Sequence, residues 1–183
     1  IQTAVKAGIK SIEHGNLIKE KKTLQMMKDN GVWLSAQPLL NDEDALKFDN
    51  PISTAKFIEV TDGTSRNYKM AKEMGVKIAF GTDCLFDPSA AALQGKLLAK
   101  MKRWFTPYEV LKMATSDNAE LIKMCGPRNP YPLGPIGVIQ KGAYADLILV
   151  DGNPLENIDL VADAGKNFVL IMKDGKIYKN IIN

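Results

Sequence analysis

Histidine is almost absent from this sequence, since His14 is the only one among 183 residues. Cysteine is nearly as scarce, with Cys84 and Cys125 alone. Two cysteines this far apart form neither a disulfide framework nor the close pairs of a structural zinc site. We therefore interpret both as buried or incidental thiols. A nucleophilic role for Cys84 is disfavoured because no second histidine is available to activate it.

Long hydrophobic runs and blocks of like charge are missing as well. No stretch approaches the roughly 18 uninterrupted apolar residues of a membrane-spanning helix, and no signal peptide opens the sequence. Lysine and arginine total 24 against 21 acidic residues, and the charges are mixed along the chain. We therefore expect neither a membrane nor a nucleic acid as a partner, and cytoplasm is the default compartment.

What the sequence does contain is an alternation of short apolar strands and amphipathic helices. Strands are predicted at "IKSIE", "VWLSA" and "VKIAF". Helices are predicted from Glu20 to Asn30 and from Ser53 to Met74, with a break at Gly63, and residues 37–52 are predicted to form a long loop. Apolar strands separated by helices are typical of a parallel sheet covered by helices, so the expected fold class is α/β.

The second part of the sequence follows a different pattern. A capping box is predicted at "TPYE", with Thr106 as the N-cap of a helix. Glycine and proline accumulate at "CGPRNPYPLGP", which marks a boundary between residues 1–125 and 126–183. Strands are predicted beyond it at "IGVIQ", "ADLILV", "FVLIM" and "KIYK", the last two joined by an Asp174-Gly175 hairpin turn. So few strands would not be stable alone, and we expect this β unit to pack on something else.

Two polar residues follow predicted strands of the first part. His14 comes after "IKSIE" and Asp83 follows "VKIAFGT". In parallel α/β folds this edge of the sheet is where ligands bind. Imidazole and carboxylate both suit a divalent metal such as zinc, and an aspartate beside a metal can also accept a proton from water.

Structural roles remain open for both residues at this point. A histidine after a strand often serves as a hydrogen-bonded loop residue, and an aspartate after "GT" often caps a turn or a helix. A phospho-acceptor or nucleotide-binding domain that uses Asp83 is a further alternative. It is disfavoured because no glycine-rich phosphate loop follows any strand.

Four stretches, taken in order, resemble the C-terminal half of a metal-dependent amidohydrolase. They are "AVKAGIKSIEHGNLI", "IAFGTDCLFDPS", "MATSDNAELIKM" and "LGPIGVIQKGAYADLILVDGNPLENI". The imidazolonepropionase-like and Xaa-Pro dipeptidase-like members look most similar, and the resemblance covers essentially the whole chain. Any one stretch would be a weak signal, but their common order makes the resemblance specific.

The resemblance implies a (β/α)8 barrel flanked by a small β-sandwich. Residues 1–125 would form the C-terminal part of the barrel, from strand six to strand eight with the following helices, and residues 126–183 would form a sandwich segment. The match to His14 follows strand six and binds metal or substrate. The match to Asp83 follows strand eight, binds the metal and transfers the proton of the attacking hydroxide. No substrate-binding residue is assigned.

The family pattern also requires ligands that this sequence lacks. These are a His-x-His after strand one, a carboxylated lysine or an acid after strand four, and a histidine after strand five. With about three of eight barrel strands, we expect a fragment or a processed chain that binds metal weakly alone. Its unpaired strand edges should require the missing N-terminal half of the barrel or self-association. A targeting segment would also belong to that missing part.

Two functions are therefore expected. The first is part of a metal-dependent hydrolase that cleaves a non-terminal or cyclic amide or peptide C–N bond, in a small molecule or a dipeptide, with one or two zinc ions in the intact enzyme. In that reading Asp83 is the catalytic acid and base, and residues 37–52 are a candidate substrate-facing loop. The alternative is a non-catalytic module derived from an amidohydrolase and retained for association.

Overall fold

A computed structural model of the chain describes residues 1–84 and 88–182. The chain divides into two compact units, of which the first comprises residues 1–81 and the second begins at Thr82. The sequence-based boundary between residues 125 and 126 concerns the barrel and the sandwich of the resemblance, and it stays a prediction.

The first unit alternates strands and helices as the sequence predicts. Its elements are α1 (Gln2–Lys6), β1 (Ser11–Glu13), α2 (Lys21–Asp29), β2 (Trp33–Ala36), α3 (Pro51–Met74) and β3 (Ile78–Phe80). The strands form a parallel sheet in the order β1-β2-β3. Ile12 pairs with Leu34, and Leu34 pairs with Ile78 on its other side. The predicted parallel sheet is therefore confirmed for this unit.

Local sequence signals explain where α3 begins and ends. The Asn50 side chain accepts a hydrogen bond of 2.8 Å from the backbone amide of Ile52, and Pro51 occupies the first turn, where no amide donor is needed. At the other end Gly75 adopts a left-handed conformation with φ 68°, which glycine tolerates without a steric penalty. The predicted loop therefore ends at Asn50, two residues earlier than expected.

The core of this unit lies between the sheet and its helices. Its fully buried side chains include Leu24 and Met27 of α2, Leu34 of β2, and Tyr68 and Ala71 of α3. Burial of one such leucine or methionine side chain contributes roughly 1.5–3 kcal/mol. The helical spacing of these apolar residues in α2 is the pattern that predicted the helix.

The predicted break of α3 at Gly63 is wrong, because the helix continues without interruption from Pro51 to Met74. The glycine serves packing instead. A β-carbon at Gly63 would lie 2.1 Å from the backbone oxygen of Asn16, so only glycine lets the helix approach that segment. Sequence alone does not distinguish a glycine that ends a helix from one that permits a close contact.

The second unit combines short helices with an antiparallel sheet. Its elements are α4 (Pro88–Ala91), α5 (Gln94–Lys100), α6 (Pro107–Lys112), α7 (Asn118–Lys123), β4 (Leu147–Val150), α8 (Ala164–Asn167), β5 (Phe168–Lys173) and β6 (Lys176–Asn180). The predicted capping box is confirmed at the start of α6. The Thr106 hydroxyl accepts from the Glu109 amide at 3.3 Å, and the Glu109 carboxylate accepts from the Thr106 amide at 2.7 Å.

The antiparallel sheet has the order β4-β5-β6, and the predicted hairpin joins β5 to β6. Asp174 and Gly175 have φ values of 49° and 73°, as a two-residue turn with both central residues left-handed requires. The strand predicted at "IGVIQ" is wrong. Gly137 there has φ 70°, with a hypothetical β-carbon 2.5 Å from the Thr115 oxygen, and Ile139 is 91% exposed. That segment lies against the backbone of a short π-helix (Met113–Asp117) rather than in a sheet.

Within residues 1–84 and 88–182, none of the helices combines the length and the apolarity needed to cross a bilayer.

Candidate functional site

The parallel sheet brings the ends of its three strands to one edge. The residue after β1 is His14, the residue after β2 is Gln37, and the residue after β3 is Gly81. Because the strands are parallel, these residues all lie at the carboxyl edge, where α/β proteins bind ligands. The structure therefore places His14 where the sequence predicts it.

The backbone at His14 has a conformation unusual for a residue with a side chain. Its amide still donates a hydrogen bond of 2.8 Å to the Ser35 oxygen, so strand pairing extends to this residue. Its φ is nevertheless 68°, and Gly15 follows with φ 65°. Left-handed residues other than glycine are uncommon and concentrate at functional sites. This turn changes the direction of the chain directly after the strand. It thereby fixes the backbone position from which the His14 side chain extends.

The His14 ring contacts the neighbouring strand end. Its Nδ1 lies 2.9 Å from Oε1 of Gln37. Gln37 is buried, with only 4% exposure, whereas His14 is exposed, so this contact is partly buried. The glutamine therefore orients the imidazole from the adjacent strand.

One face of α3 holds the segment that follows His14. The Asn16 side-chain amide donates to the Thr64 hydroxyl at 2.8 Å and to the backbone oxygen of Gln37 at 3.2 Å. The Asn67 side-chain amide donates to the Gly15 oxygen. Thr64 and Asn67 are three residues apart and therefore share a helix face. These buried hydrogen bonds fasten the loops after β1 and β2 to the same helix.

The same helix also fastens the end of β2. The Tyr68 hydroxyl donates a hydrogen bond of 2.6 Å to the backbone oxygen of Ala36, the residue before Gln37. Burial raises the pKa of the Tyr68 hydroxyl far above its ordinary value. The hydroxyl therefore stays protonated and remains a donor throughout the ordinary pH range.

An open cleft of about 780 Å³ borders His14. The lining is mixed: its apolar part includes Ile18, Leu39, Phe57 and Val60, and its polar part includes Asn16, Lys19, Glu20 and Thr23. Leu39 belongs to the loop that the sequence suggests as substrate-facing. Apolar lining beside a few convergent polar groups is typical of small-molecule sites.

Asp83 lies in the second compact unit and is exposed. Its φ is 55°, so like His14 it is a residue with a side chain in the left-handed region. The half-buried Cys84 follows it, and the Cys84 thiol donates to the Thr82 oxygen at 3.8 Å. Both predicted site residues thus share the same unusual backbone conformation just after a strand.

The donors present suit a divalent metal in kind but not in number. A neutral imidazole and a carboxylate are both ordinary ligands of zinc. In the described part of the chain, no three side chains of histidine, cysteine, aspartate or glutamate come close enough to hold a metal ion. His14 of the first unit and Asp83 of the second are each suited in kind to bind a metal.

Sequence reasoning missed the residues that support His14. Gln37, Asn16 and Asn67 carry no motif, and only their buried positions show their role. One signal was available, because Gln37 follows an apolar strand directly, as His14 does. Thr64 and Asn67 of α3 lie some fifty positions after Asn16 and Gly15 in the sequence, and only the fold brings them close.

Comparison with known proteins, by family and by individual relative, points to hydrolases. Residues 1–183 match the amidohydrolase family. The ochratoxinase of Aspergillus niger is 33% identical over 187 residues, which cover 98% of this chain and 36% of the relative.

Solved structures show the same relationship. A prolidase crystallised with N-methylphosphonate-L-proline has a TM-score of 0.81 at 31% identity, over 97% of this chain and 42% of that one. A Xaa-Pro dipeptidase with methionine bound in its active site has a TM-score of 0.78 at 28% identity, over 97% of this chain and 41% of that one.

The chain thus spans about two fifths of these structures or less, and what it matches is their C-terminal part. The predicted fold class, α/β with the C-terminal part of an amidohydrolase, is confirmed. The family match over the full sequence supports the same conclusion as the fold and the strand-end residues. The chain belongs to the amidohydrolase family.

Proposed function

We propose that this chain contributes the C-terminal part of the active site of a metal-dependent hydrolase that cleaves an amide or peptide C–N bond. The observation that carries the proposal is His14, held by Gln37 at the carboxyl edge of the sheet beside an open cleft that apolar side chains line in part. This arrangement presents an oriented imidazole where a ligand has room to approach.

His14 and Asp83 are the residues that would hold the metal, with zinc as the first candidate. When bound, such an ion polarises a substrate carbonyl and brings the pKa of water near neutrality. Asp83 accepts the proton that water loses as its oxygen attacks the carbonyl carbon. The same carboxyl group then returns the proton to the leaving nitrogen, so that the C–N bond breaks and a carboxylic acid and an amine are released.

The cleft and the relatives support a choice of substrate to test. Ile18, Leu39, Phe57 and Val60 offer apolar contacts to one side of a substrate. Two of the similar structures are a prolidase and a Xaa-Pro dipeptidase, and a third relative is an ochratoxinase. A dipeptide with proline in the second position is therefore the first substrate to test, and a cyclic amide is the second.

The remaining metal donors would come from outside the described residues. In the described part of the chain, β1 and β3 each pair on one side only. Both outer edges of the parallel sheet are therefore available for further strands. Leu147, Ile148 and Leu149 of β4 are likewise exposed, at 36%, 55% and 51%. Further barrel strands, from a longer polypeptide or a second copy, are the partners we propose.

Zinc affinity of the 183-residue chain tests the site, measured by competition with a chromophoric chelator and paired with sedimentation. His14→Ala and Asp83→Ala should each weaken zinc binding by at least about tenfold. Asp62→Ala removes an exposed carboxylate of α3 and should leave the affinity unchanged. Equal affinity in all four proteins would contradict the metal site and favour the alternative, a non-catalytic module retained for association.

Activity tests the reaction separately. Each sedimenting species is incubated with Xaa-Pro dipeptides, and released proline is measured with zinc and after chelation. We expect release only from zinc-loaded assemblies and none from the Asp83→Ala chain. Release that persists after complete chelation, or in the Asp83→Ala chain, would contradict the mechanism.

A further inference from the structure

Gln37, at the end of β2, contacts the candidate metal ligand His14 directly. It is the first residue after β2, and its Oε1 lies 2.9 Å from Nδ1 of His14. Gln37 is only 4% exposed whereas His14 is exposed, so the contact is buried on the glutamine side. The contact therefore constrains which ring nitrogen carries the proton.

An amide oxygen only accepts hydrogen bonds. For Oε1 of Gln37 to bond Nδ1 of His14, the proton of the neutral imidazole must be on Nδ1. The lone pair is then on Nε2, the nitrogen farther from the backbone. Metal-binding histidines commonly have this arrangement, with one ring N–H donated to a protein oxygen.

Several contacts keep Gln37 in place. Its backbone oxygen accepts a hydrogen bond of 3.2 Å from the Asn16 side chain, which is itself bonded to Thr64. Gly81, the residue after β3, leaves space beside the amide, since a β-carbon there would lie 4.0 Å from Nε2 of Gln37. The buried Pro38 follows and fixes the backbone direction. The backbone of the glutamine is thus held from the loop that follows β1.

We propose that Gln37 is a positioning residue that holds His14 in the Nδ1–H tautomer and thereby directs the Nε2 lone pair toward the metal. The second half of this statement rests on the proposed function. The first half, the Nδ1–H tautomer of His14, concerns the protein without metal and can be tested separately.

The scarcity of histidine makes the tautomer directly measurable. His14 is the only histidine, so the imidazole signals in a ¹⁵N-labelled chain need no assignment. Protonated and unprotonated ring nitrogens differ widely in ¹⁵N chemical shift, and two-bond correlations to the ring protons tell Nδ1 from Nε2. Spectra are recorded without metal, about two pH units above the ordinary histidine pKa of about 6.5.

Three variants isolate the role of the Gln37 oxygen. Gln37→Met keeps an unbranched side chain of similar length but removes the amide acceptor. Gln37→Glu keeps an oxygen that accepts from Nδ1–H and is the conservative replacement. Gln25→Met makes the same change at an exposed glutamine of α2 and serves as the control.

We expect the Nδ1–H tautomer to dominate in the wild type, in Gln37→Glu and in Gln25→Met. Gln37→Met should shift the population toward the Nε2–H form, which an unconstrained histidine favours. A wild-type spectrum dominated by Nε2–H would overturn the proposal, whether or not any variant folds. An unchanged tautomer in a folded Gln37→Met chain would overturn it as well.

Zinc titration of the same samples separates the two proposals. Zinc should move the Nε2 signal and leave Nδ1 protonated, and Gln37→Met should weaken zinc binding by about 10- to 100-fold. Zinc that moves neither signal contradicts the proposed metal site, and the spectra without metal then decide the role of Gln37. Zinc bound through Nδ1 overturns the positioning role.

Discussion

Gly63 of α3 faces the backbone oxygen of Asn16 so closely that a β-carbon on the glycine would lie 2.1 Å from that oxygen. The contact joins the middle of a 24-residue helix to the loop that follows His14. Asn16 also donates to Thr64, the next residue of the helix. The position of the candidate metal ligand therefore depends on a glycine that contacts no ligand itself.

Replacement of this glycine tests the dependence. Gly63→Ala should lower the free energy of unfolding by about 2 kcal/mol, the typical cost of overpacking, although alanine is otherwise the better helix former. Urea unfolding followed by tryptophan fluorescence measures the change. Asp62→Ala, at the adjacent exposed position, should be neutral or stabilising. A Gly63→Ala chain as stable as the Asp62→Ala chain would contradict the close contact.

Gly15 provides a second test, because Gly31 in the same unit has nearly the same φ and serves as its control. Gly15 and Gly31 have φ values of 65° and 64°, but a β-carbon at Gly15 would lie 2.7 Å from Cδ1 of Leu34, whereas none of the described atoms lies within 4 Å at Gly31. Gly31→Ala should cost about 1–2 kcal/mol from backbone strain alone. Gly15→Ala should lower the free energy of unfolding by at least about 1 kcal/mol more than Gly31→Ala does, because Leu34 must move. Equal losses in urea unfolding would remove the packing argument.

Tyr68 should stabilise the end of β2 through its hydroxyl. Tyr68→Phe leaves the buried Ala36 oxygen without this donor, and the free energy of unfolding should fall by about 1–3 kcal/mol. Thermal or urea unfolding measures the loss. Tyr178→Phe removes a hydroxyl from a side chain that is 65% exposed and should change stability little. A neutral Tyr68→Phe replacement would show that the hydrogen bond does not carry the link between α3 and β2.

Much of the first unit could be predicted because its signals are local. Apolar periodicity predicted α2, and short apolar runs predicted all three parallel strands. The capping box at Thr106 and the turn at Asp174 and Gly175 are equally local, and both are confirmed. His14 and Asp83 were found through their positions after strands and through their order in the resemblance. Their metal role stays a prediction.

The errors arose where distant residues decide the outcome. Gly63 resembles a helix break until Asn16, 47 positions earlier, is brought against it by the fold. "IGVIQ" has the composition of a strand, but the fold brings Gly137, with φ 70°, against the Thr115 backbone. Gln37 was missed for the same reason, since its partner His14 lies on another strand end. Propensity is a weak guide wherever tertiary contacts compete with it.

Asp146 directly precedes β4 and contacts the turn between β5 and β6. Its Oδ1 accepts a hydrogen bond of 2.6 Å from the Asp174 amide, and its Oδ2 lies 3.3 Å from the Lys173 ammonium. The Asp174 hydrogen bond chiefly, and Lys173 to a smaller degree, lower the pKa of the Asp146 carboxyl. Asp146 thus connects β4 to the turn between β5 and β6.

A carboxyl whose pKa is lower in the folded state stabilises the protein above its unfolded pKa, and this contribution disappears as the pH falls through the folded pKa. Asp146→Asn should therefore destabilise the chain at neutral pH. The loss should be less than about 1 kcal/mol, because the pair of Asp146 and Lys173 is partly exposed. On acidification below about pH 4, the Asp146→Asn chain should lose less stability than the wild type.

Carboxyl NMR titration measures the pKa directly, and Lys173→Met separates its causes. Because the Asp174 amide is the larger cause, Lys173→Met should retain most of the depression. An Asp146 pKa that returns to the ordinary value in Lys173→Met would assign the effect to the ion pair instead. Asp146→Asn and wild-type chains with identical loss of stability in acid would show that the carboxylate does not hold the turn.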